Sequence, residues 1–260
     1  MEKLIIIYIF ISGLIVGSFL NCFIYRLKKE KSLSGRSFCP RCEETLSALE
    51  LVPILSYLFL AGRCKSCGQE ISFQYPLVEL ATGLLFLGAF FLYPPVSVST
   101  ALLFFLSLFI FSGLVVLFVY DLKHYILPNK VIYPLILAAL VFVSVPAFFS
   151  SRPKILIDYL LAGLISFLFF YSIYFLTDGK GMGFGDVRYS LFMGIFLGLE
   201  VIVGLFFSFL IGAIIGVILI LTGKKSRKDK VPFGPFLIVG TFITLFFGEM
   251  IIDWYLNFLI

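Results

Sequence analysis

Charge is scarce in this chain. Only 13% of its 260 residues are charged, against 61% that are hydrophobic, where an ordinary soluble domain has about a quarter charged and half apolar. That shortage excludes a water-soluble globular domain and indicates a polytopic membrane protein. The mean hydropathy of +1.10 and the 33 Phe agree with it. Histidine is nearly missing, His124 being the only one. No internal repeat or low-complexity tract is evident. No small-residue cleavage site follows the first apolar stretch, LIIIYIFISGLIVGSFL, so that stretch is expected to stay as a membrane helix. The net charge of +5 needs no nucleic-acid partner, because topology accounts for it.

What is present in quantity is apolar runs of membrane-spanning length. A hydrocarbon core of about 30 Å takes roughly 20 apolar residues as a helix. Such runs lie near 4–25, 76–93, 100–120, 131–150, 155–176, 187–200, 201–222 and 232–252. The sequence therefore predicts an all-α membrane protein of about eight transmembrane helices, the sixth of them short. Basic residues stay on the cytoplasmic side of a membrane. With the N-terminus outside, all of the 20 basic residues except Lys3, Arg152 and Lys154 fall in cytoplasmic segments. Three parts result: a first transmembrane helix at 1–25, a hydrophilic cytoplasmic insert at 26–75, and a seven-helix bundle at 76–260.

The insert carries CPRC, with Cys39 and Cys42, and twenty-one residues later CKSC, with Cys64 and Cys67. Each Cys-x-x-Cys makes a tight knuckle that presents two thiolates on one side, and two knuckles close a tetrahedral zinc shell. Gly62 and Gly68 suit the turns of the second knuckle. Zinc also explains how some fifty residues fold with little core of their own. The alternative, a pair of disulfides, is at odds with a reducing cytoplasm. Cys22, inside the first span, reads as a packing residue. The apolar stretch LSALELVPILSYLFLAG between the knuckles suits the membrane surface or the bundle, and its Pro53 opposes a long regular helix.

Of the six Asp, Asp229 belongs to the basic loop KKSRKDK, Asp158 and Asp253 lie near outer span ends, and Asp178 precedes a glycine-rich loop. Asp121 and Asp186 differ, because each marks the junction of a long apolar helix with a cytoplasmic loop. An ionisable group beside the hydrocarbon is costly and is a functional candidate by default. Two carboxylates held together share a proton, so one can take a proton from water while the other donates to a peptide carbonyl. Gly181, Gly183 and Gly185, in GKGMGFGD, let backbone come close to a neighbouring helix or a substrate strand. The residues alone leave open that Asp186 is a helix N-cap, that Asp121 merely ends a helix, or that the pair binds an ion in a transporter.

Taken in order, these segments resemble the type IV prepilin peptidases, polytopic aspartic proteases of bacterial inner membranes. The resemblance covers nearly the whole chain: GSFLNCFIYRL, CPRC…ELVPILSYLFLAGRCKSC, ISFQYPLVELATGLLF, YDLKHYILPN, GMGFGD and VPFGPFL. It implies that Asp121 and Asp186 are the catalytic pair and that Cys39, Cys42, Cys64 and Cys67 bind the metal. It also implies S-adenosylmethionine-dependent methylation of the new N-terminus, and substrates that are prepilins or pseudopilins of pili or type II secretion. No glycine-rich Rossmann fingerprint locates the S-adenosylmethionine site. Asn129 departs from the pattern, since many relatives carry Asp after the Leu-Pro, and it leaves Asp121 as the only carboxylate of its loop.

Several other residues have two readings each. Glu79, early in the second span, suits methyl transfer or substrate binding, and equally a favourable acid at a helix start. His124 either tunes Asp121 or lies in the interface. Lys180 and Arg188 either hold substrate or follow the charge bias, and the bias is the preferred reading for both. Glu43, Glu44 and Glu50 either meet a basic leader or face solvent. Two competing functions stand beside the resemblance: an intramembrane protease of other substrates with the same glycine-aspartate motif, and an ion- or proton-coupled transporter.

Overall fold

The computed structural model describes residues 2–30, 32, 34–226 and 229–259. Lys31, Arg227 and Lys228, three of the basic residues counted above, lie outside them. The described residues form nine α-helices: α1 Glu2–Lys29, α2 Leu55–Phe59, α3 Gln74–Leu92, α4 Val98–His124, α5 Asn129–Phe149, α6 Pro153–Leu176, α7 Phe184–Leu197, α8 Val201–Leu221 and α9 Gly234–Leu259. The chain separates into two compact units, Met1–Val116 and Leu117–Ile260, and the division falls within α4.

In the first unit α1 packs along α3 with almost no side chain between them. A Cβ on Gly13 would sit 2.7 Å from the Cα of Gly83, and one on Gly17 would sit 2.7 Å from the Cα of Glu79. Small residues at such spacing are what allow helices to meet backbone to backbone in a membrane. The insert follows α1, and among its described residues the only regular pieces between α1 and α3 are a 3₁₀ turn at Leu49–Leu51 and the five-residue α2. Pro53 lies between those two, as its missing amide requires.

In the second unit α7 is the central element, packed by α5, α6 and α9. Its Val187, Tyr189, Ser190 and every residue from Phe192 to Leu197 are buried. Tyr189 and Thr241 share a hydrogen bond of 2.8 Å between their hydroxyls, and the Ser190 hydroxyl donates to the carbonyl of Val187 at 2.8 Å. The buried polar groups of α7 are thereby paired, as a water-free interior demands.

Seven described helical runs are long and apolar enough to cross a membrane, and one of them, Phe184–Leu221, has 38 residues. That run is folded in two. Gly198 has φ +63° and ψ −142°, a conformation open essentially to glycine alone. A short 3₁₀ turn, Gly198–Glu200, leads into α8. Beyond it Gly204 returns against Met193, so α7 and α8 run antiparallel, and the seven runs provide eight crossings. Helix ends extend past the apolar runs. The first reaches Lys29 rather than residue 25, and α4 reaches His124 rather than 120. Helical hydrogen bonds continue through charged residues whose side chains reach the interface.

Candidate active site and metal centre

Three helix ends meet at one place in the second unit. The last turn of α4 carries Asp121, which is only 4% exposed. Tyr125 ends that helix in the left-handed region at φ +58°, its amide donating to the Asp121 carbonyl at 2.8 Å. The link to α5 is short, and its Leu127 is buried. A Cβ on Gly185 would lie 3.1 Å from the Leu127 Cβ, and a Cβ on Gly234 would lie 3.1 Å from its Cδ2. Leu127 thus presses against the glycines that open α7 and α9, and only a hydrogen at each Cα leaves room for it.

Asp186 sits in the first turn of α7, half-buried. The N-cap of that helix is Gly183 rather than Asp186, and the Asp186 amide donates to the Gly183 carbonyl at 3.1 Å. Asp186 is therefore the third helical residue, and its carboxylate turns back toward Gly183, where a Cβ would lie 3.4 Å from Oδ2. It also lies close enough to Asp121 for the two charges to interact. On the far side of Asp121, Gly234 at the start of α9 packs against the carboxylate. A Cβ there would come within 2.5 Å of Asp121 Oδ2. The structure thus brings Asp121, Asp186 and Gly185 to one place, with Gly183 behind the carboxylate of Asp186.

Gly181 stands apart from that centre, its amide donating to Thr177 Oγ1 at 3.2 Å, and Lys180 is exposed beside it. His124 packs its ring edge-on to Tyr120, the centroids 4.7 Å apart. Arg188 does not point freely to solvent. Its Nη1 donates to Asn129 Oδ1, its Nε donates to the Phe184 carbonyl at 3.3 Å, and its guanidinium lies over the rings of Phe184 and Tyr133. Between the end of α4, α8 and the start of α9 an apolar cavity of about 320 Å³ is lined by Phe118, Leu122, Tyr125, Pro235 and Phe236 among others, with Lys225 as the one charged residue among its described lining; neither aspartate lines it.

The four insert cysteines form a separate centre in the first unit. The two knuckles are built alike. Cys39 donates its amide to Glu44 and accepts at its carbonyl from Glu43, as Cys64 does with Gln69 and Gly68. An isolated bridge flanks each, Phe38 with Thr45 and Arg63 with Glu70. Glu43 and Gly68, four residues after the first cysteine of each knuckle, both have positive φ, +58° and +68°. All four sulfurs lie within 4.8 Å of one another, Cys39 and Cys67 at 4.0 Å, and none forms a disulfide. Four thiolates about 2.3 Å from a zinc ion would stand about 3.8 Å apart, so this set could hold a metal ion. Burial opposes the Cys39 thiolate, yet the amides of Cys42 and Arg41 and the neighbouring thiols hold that thiol down to about 7.

Glu79 is buried near the insert. Its Oε2 accepts the Ile54 amide at 2.7 Å. Ile54 has φ +60° and ψ −50°, and the Leu55 amide reaches the Pro53 carbonyl at 2.6 Å. That is a γ-turn of the strained kind with a β-branched residue at its centre. Glu50 is held locally, its carboxylate accepting the Ser47 hydroxyl and amide at 2.7 and 2.9 Å, which keeps it below the usual carboxylate range.

Two sequence families cover this architecture. Residues 11–93 match the bacterial Peptidase A24 N-terminal domain, and residues 108–221 match the Type IV leader peptidase family. The chain is 34% identical over 254 residues to a prepilin leader peptidase/N-methyltransferase of Bacillus subtilis (strain 168), an alignment covering 96% of this chain and 97% of that protein. The chain belongs to the type IV leader peptidase family. A relative of the same printed name from Aeromonas hydrophila is 34% identical, covering 96% of this chain and 94% of its own length. One from Pseudomonas aeruginosa is 30% identical, with 95% and 91% covered. No solved structure matches the chain. In this leader peptidase family member the N-terminal match holds all four insert cysteines, and the second match holds both aspartates.

Sequence reasoning missed three features of the site. Gly234 was visible only as part of VPFGPFL, because nothing in that segment shows which carboxylate its backbone approaches. Leu127 looked like one more apolar residue. Arg188 looked like a charge placed by topology, and the Asn129 side chain that meets it gave no sign of a partner.

Proposed function

We propose that this chain is a membrane aspartic endopeptidase that cuts the leader from type IV prepilin-like proteins and methylates the N-terminus so exposed. The observation that carries the peptidase half is the meeting of Asp121 and Asp186 at the ends of two apolar helices, in a family of leader peptidases. Asp121 and Asp186 are then the catalytic pair. With one proton between them, the ionised carboxylate takes a proton from water while its partner donates to the carbonyl oxygen of the scissile peptide. The tetrahedral intermediate collapses as the newly protonated carboxyl passes its proton to the leaving nitrogen. Gly234, packed on the carboxylate, fixes the orientation of Asp121 during both steps, and Gly183 does the same for Asp186.

The topology supports this reading. With eight crossings and the N-terminus outside, the end of α4 and the starts of α7 and α9 all face the cytoplasm, in a bacterial inner membrane. A prepilin anchored by its own helix would reach them by diffusion in two dimensions. The apolar cavity at the end of α4 suits the apolar residues that follow the cut. Lys180, exposed beside Gly181, stands where an extended peptide would enter.

The methyltransferase half rests on the printed names of the relatives, with S-adenosylmethionine supplying the methyl group. Residues 26–75 are the methyltransferase-associated insert, and 76–260 the peptidase bundle. Cys39, Cys42, Cys64 and Cys67 would hold a structural zinc ion that fixes the two knuckles and takes no part in peptide cleavage. Glu79, bonded to Ile54, supports the insert from α3.

The test is cleavage of a prepilin with a synthetic leader by the purified protein in detergent, read by mass spectrometry with and without S-adenosylmethionine. Asp121→Asn and Asp186→Asn are each expected to lower the rate by about 10³-fold or more, and the parent product to gain a methyl mass only with the cofactor. A folded parent that cuts no prepilin would overturn the peptidase reading.

A further inference from the structure

Arg188 is committed to contacts that tie α7 to α5. Its side chain starts from the first turn of α7, two residues after Asp186, and ends on the first turn of α5. There Asn129 Oδ1 accepts from Nη1, and Tyr133, one helical turn further on, faces the guanidinium at 5.9 Å. Phe184 closes the other side at 4.9 Å, and the Phe184 carbonyl takes Nε. The planar guanidinium is thus held by a side-chain acceptor, a carbonyl and two rings, which fixes its orientation more firmly than a lone ion pair would.

The two helices it joins matter for the site. Asn129 opens α5 immediately after Leu127 and Pro128, and that link descends directly from the turn of α4 bearing Asp121. Arg188 belongs to the turn of α7 bearing Asp186. We infer that Arg188 and Asn129 form a clamp that sets the separation and facing of Asp121 and Asp186, with Arg188 as a positioning residue that touches no substrate. The inference rests on the reading of the aspartates as the catalytic pair.

Loss of the clamp shifts the facing of the carboxylates while leaving the surface that binds substrate in place. Misplacement on the order of 1 Å costs about 100-fold in turnover. Asn129→Ala and Arg188→Ala are therefore expected to lower kcat by about 10- to 100-fold with KM within about 3-fold of the parent, the pattern of an interaction needed only for the transition state. Asn129→Asp keeps the acceptor and is expected to restore most of the turnover. The double variant Arg188→Ala/Asn129→Ala should be no worse than the more damaged single, because both remove one interaction.

The assay is the prepilin cleavage above, with melting temperature in detergent measured for each variant. Asn129→Ala removes a neutral group from an exposed position and keeps the test usable if Arg188→Ala fails to fold. A raised KM with unchanged kcat, parent-like turnover in both alanine variants, or an Asn129→Asp variant as slow as Asn129→Ala would each overturn the clamp. Activity in Asp121→Asn or Asp186→Asn would instead overturn the catalytic pair, and the clamp with it.

Discussion

Gly234 packs against the carboxylate of Asp121 across more than a hundred residues of sequence. It brings the start of the last helix to the end of the fourth. It also fixes the parity of the fold, because Asp186 and Gly234 can lie on one face of a membrane only if the run between them crosses twice.

Gly234→Ala would place a Cβ 2.5 Å from Asp121 Oδ2 and 3.1 Å from Leu127 Cδ2. The carboxylate has to turn away, and activity is expected to fall by about 10- to 100-fold while the bundle stays folded. Alanine at Gly185 meets the Leu127 Cβ at 3.1 Å, whereas alanine at Gly183 meets only Asp186 Oδ2 at 3.4 Å. The order of loss should thus be Gly234, then Gly185, then Gly183, read as initial cleavage rates. A Gly183→Ala variant more damaged than Gly234→Ala would contradict this account.

Cys39→Ser removes one of the four sulfurs. Bound zinc is expected to fall from about one ion per chain to a small fraction of that, measured by elemental analysis of the purified protein. Methylation should suffer more than cleavage, because the knuckles belong to the first unit and both aspartates to the second. Equal metal content in variant and parent would remove the zinc assignment.

Glu79→Ala takes away the acceptor of the Ile54 amide. Leaving a buried donor unpaired costs about 1–3 kcal/mol, so hydrogen exchange around residues 53–59 should accelerate. Glu79→Gln keeps a carbonyl oxygen in place and should show the smaller change. Similar protection in all three proteins would mean that the carboxylate does not hold the γ-turn.

Most of the spans were legible because their apolar runs come close to the length that a bilayer demands; α7, with 14 residues, falls short of it. Asp121 and Asp186 were legible for the complementary reason, as carboxylates standing where hydrocarbon begins. The cysteine spacing was legible because a two-residue gap allows few shapes. Helix ends were not, since α1 and α4 continue through Arg26, Lys28 and Lys123 on backbone hydrogen bonds that hydropathy does not register. Nor were the partners of the site residues. Gly234 contributes a close backbone approach and Ile54 an amide that every residue but proline carries, and Arg188 finds Asn129 only once α5 and α7 are side by side.

Gly198→Ala puts a side chain into a conformation that glycine alone takes easily, with the Tyr159 ring 3.1 Å from the new Cβ. A loss of about 1–3 kcal/mol is expected in thermal unfolding in detergent. An unchanged melting temperature would show that the α7–α8 turn carries no strain of this kind.

The brevity of α7 has a consequence for how substrate arrives. Its 14 residues make a rod of about 21 Å, against a hydrocarbon layer of about 30 Å. Neighbouring helices cover almost all of it, so it escapes the penalty for mismatch that a lipid-facing helix would incur. Were Gly198 level with one face of such a layer, Asp186, twelve residues along the helix, would lie about 12 Å beneath the other. On that placement Asp186 would stand at the floor of a recess rather than on the rim. A peptide bond would reach that depth as roughly four residues of extended chain or eight of helix. On the proposed reading, a substrate whose helix begins at the membrane surface would have to uncoil at its start before it is cut.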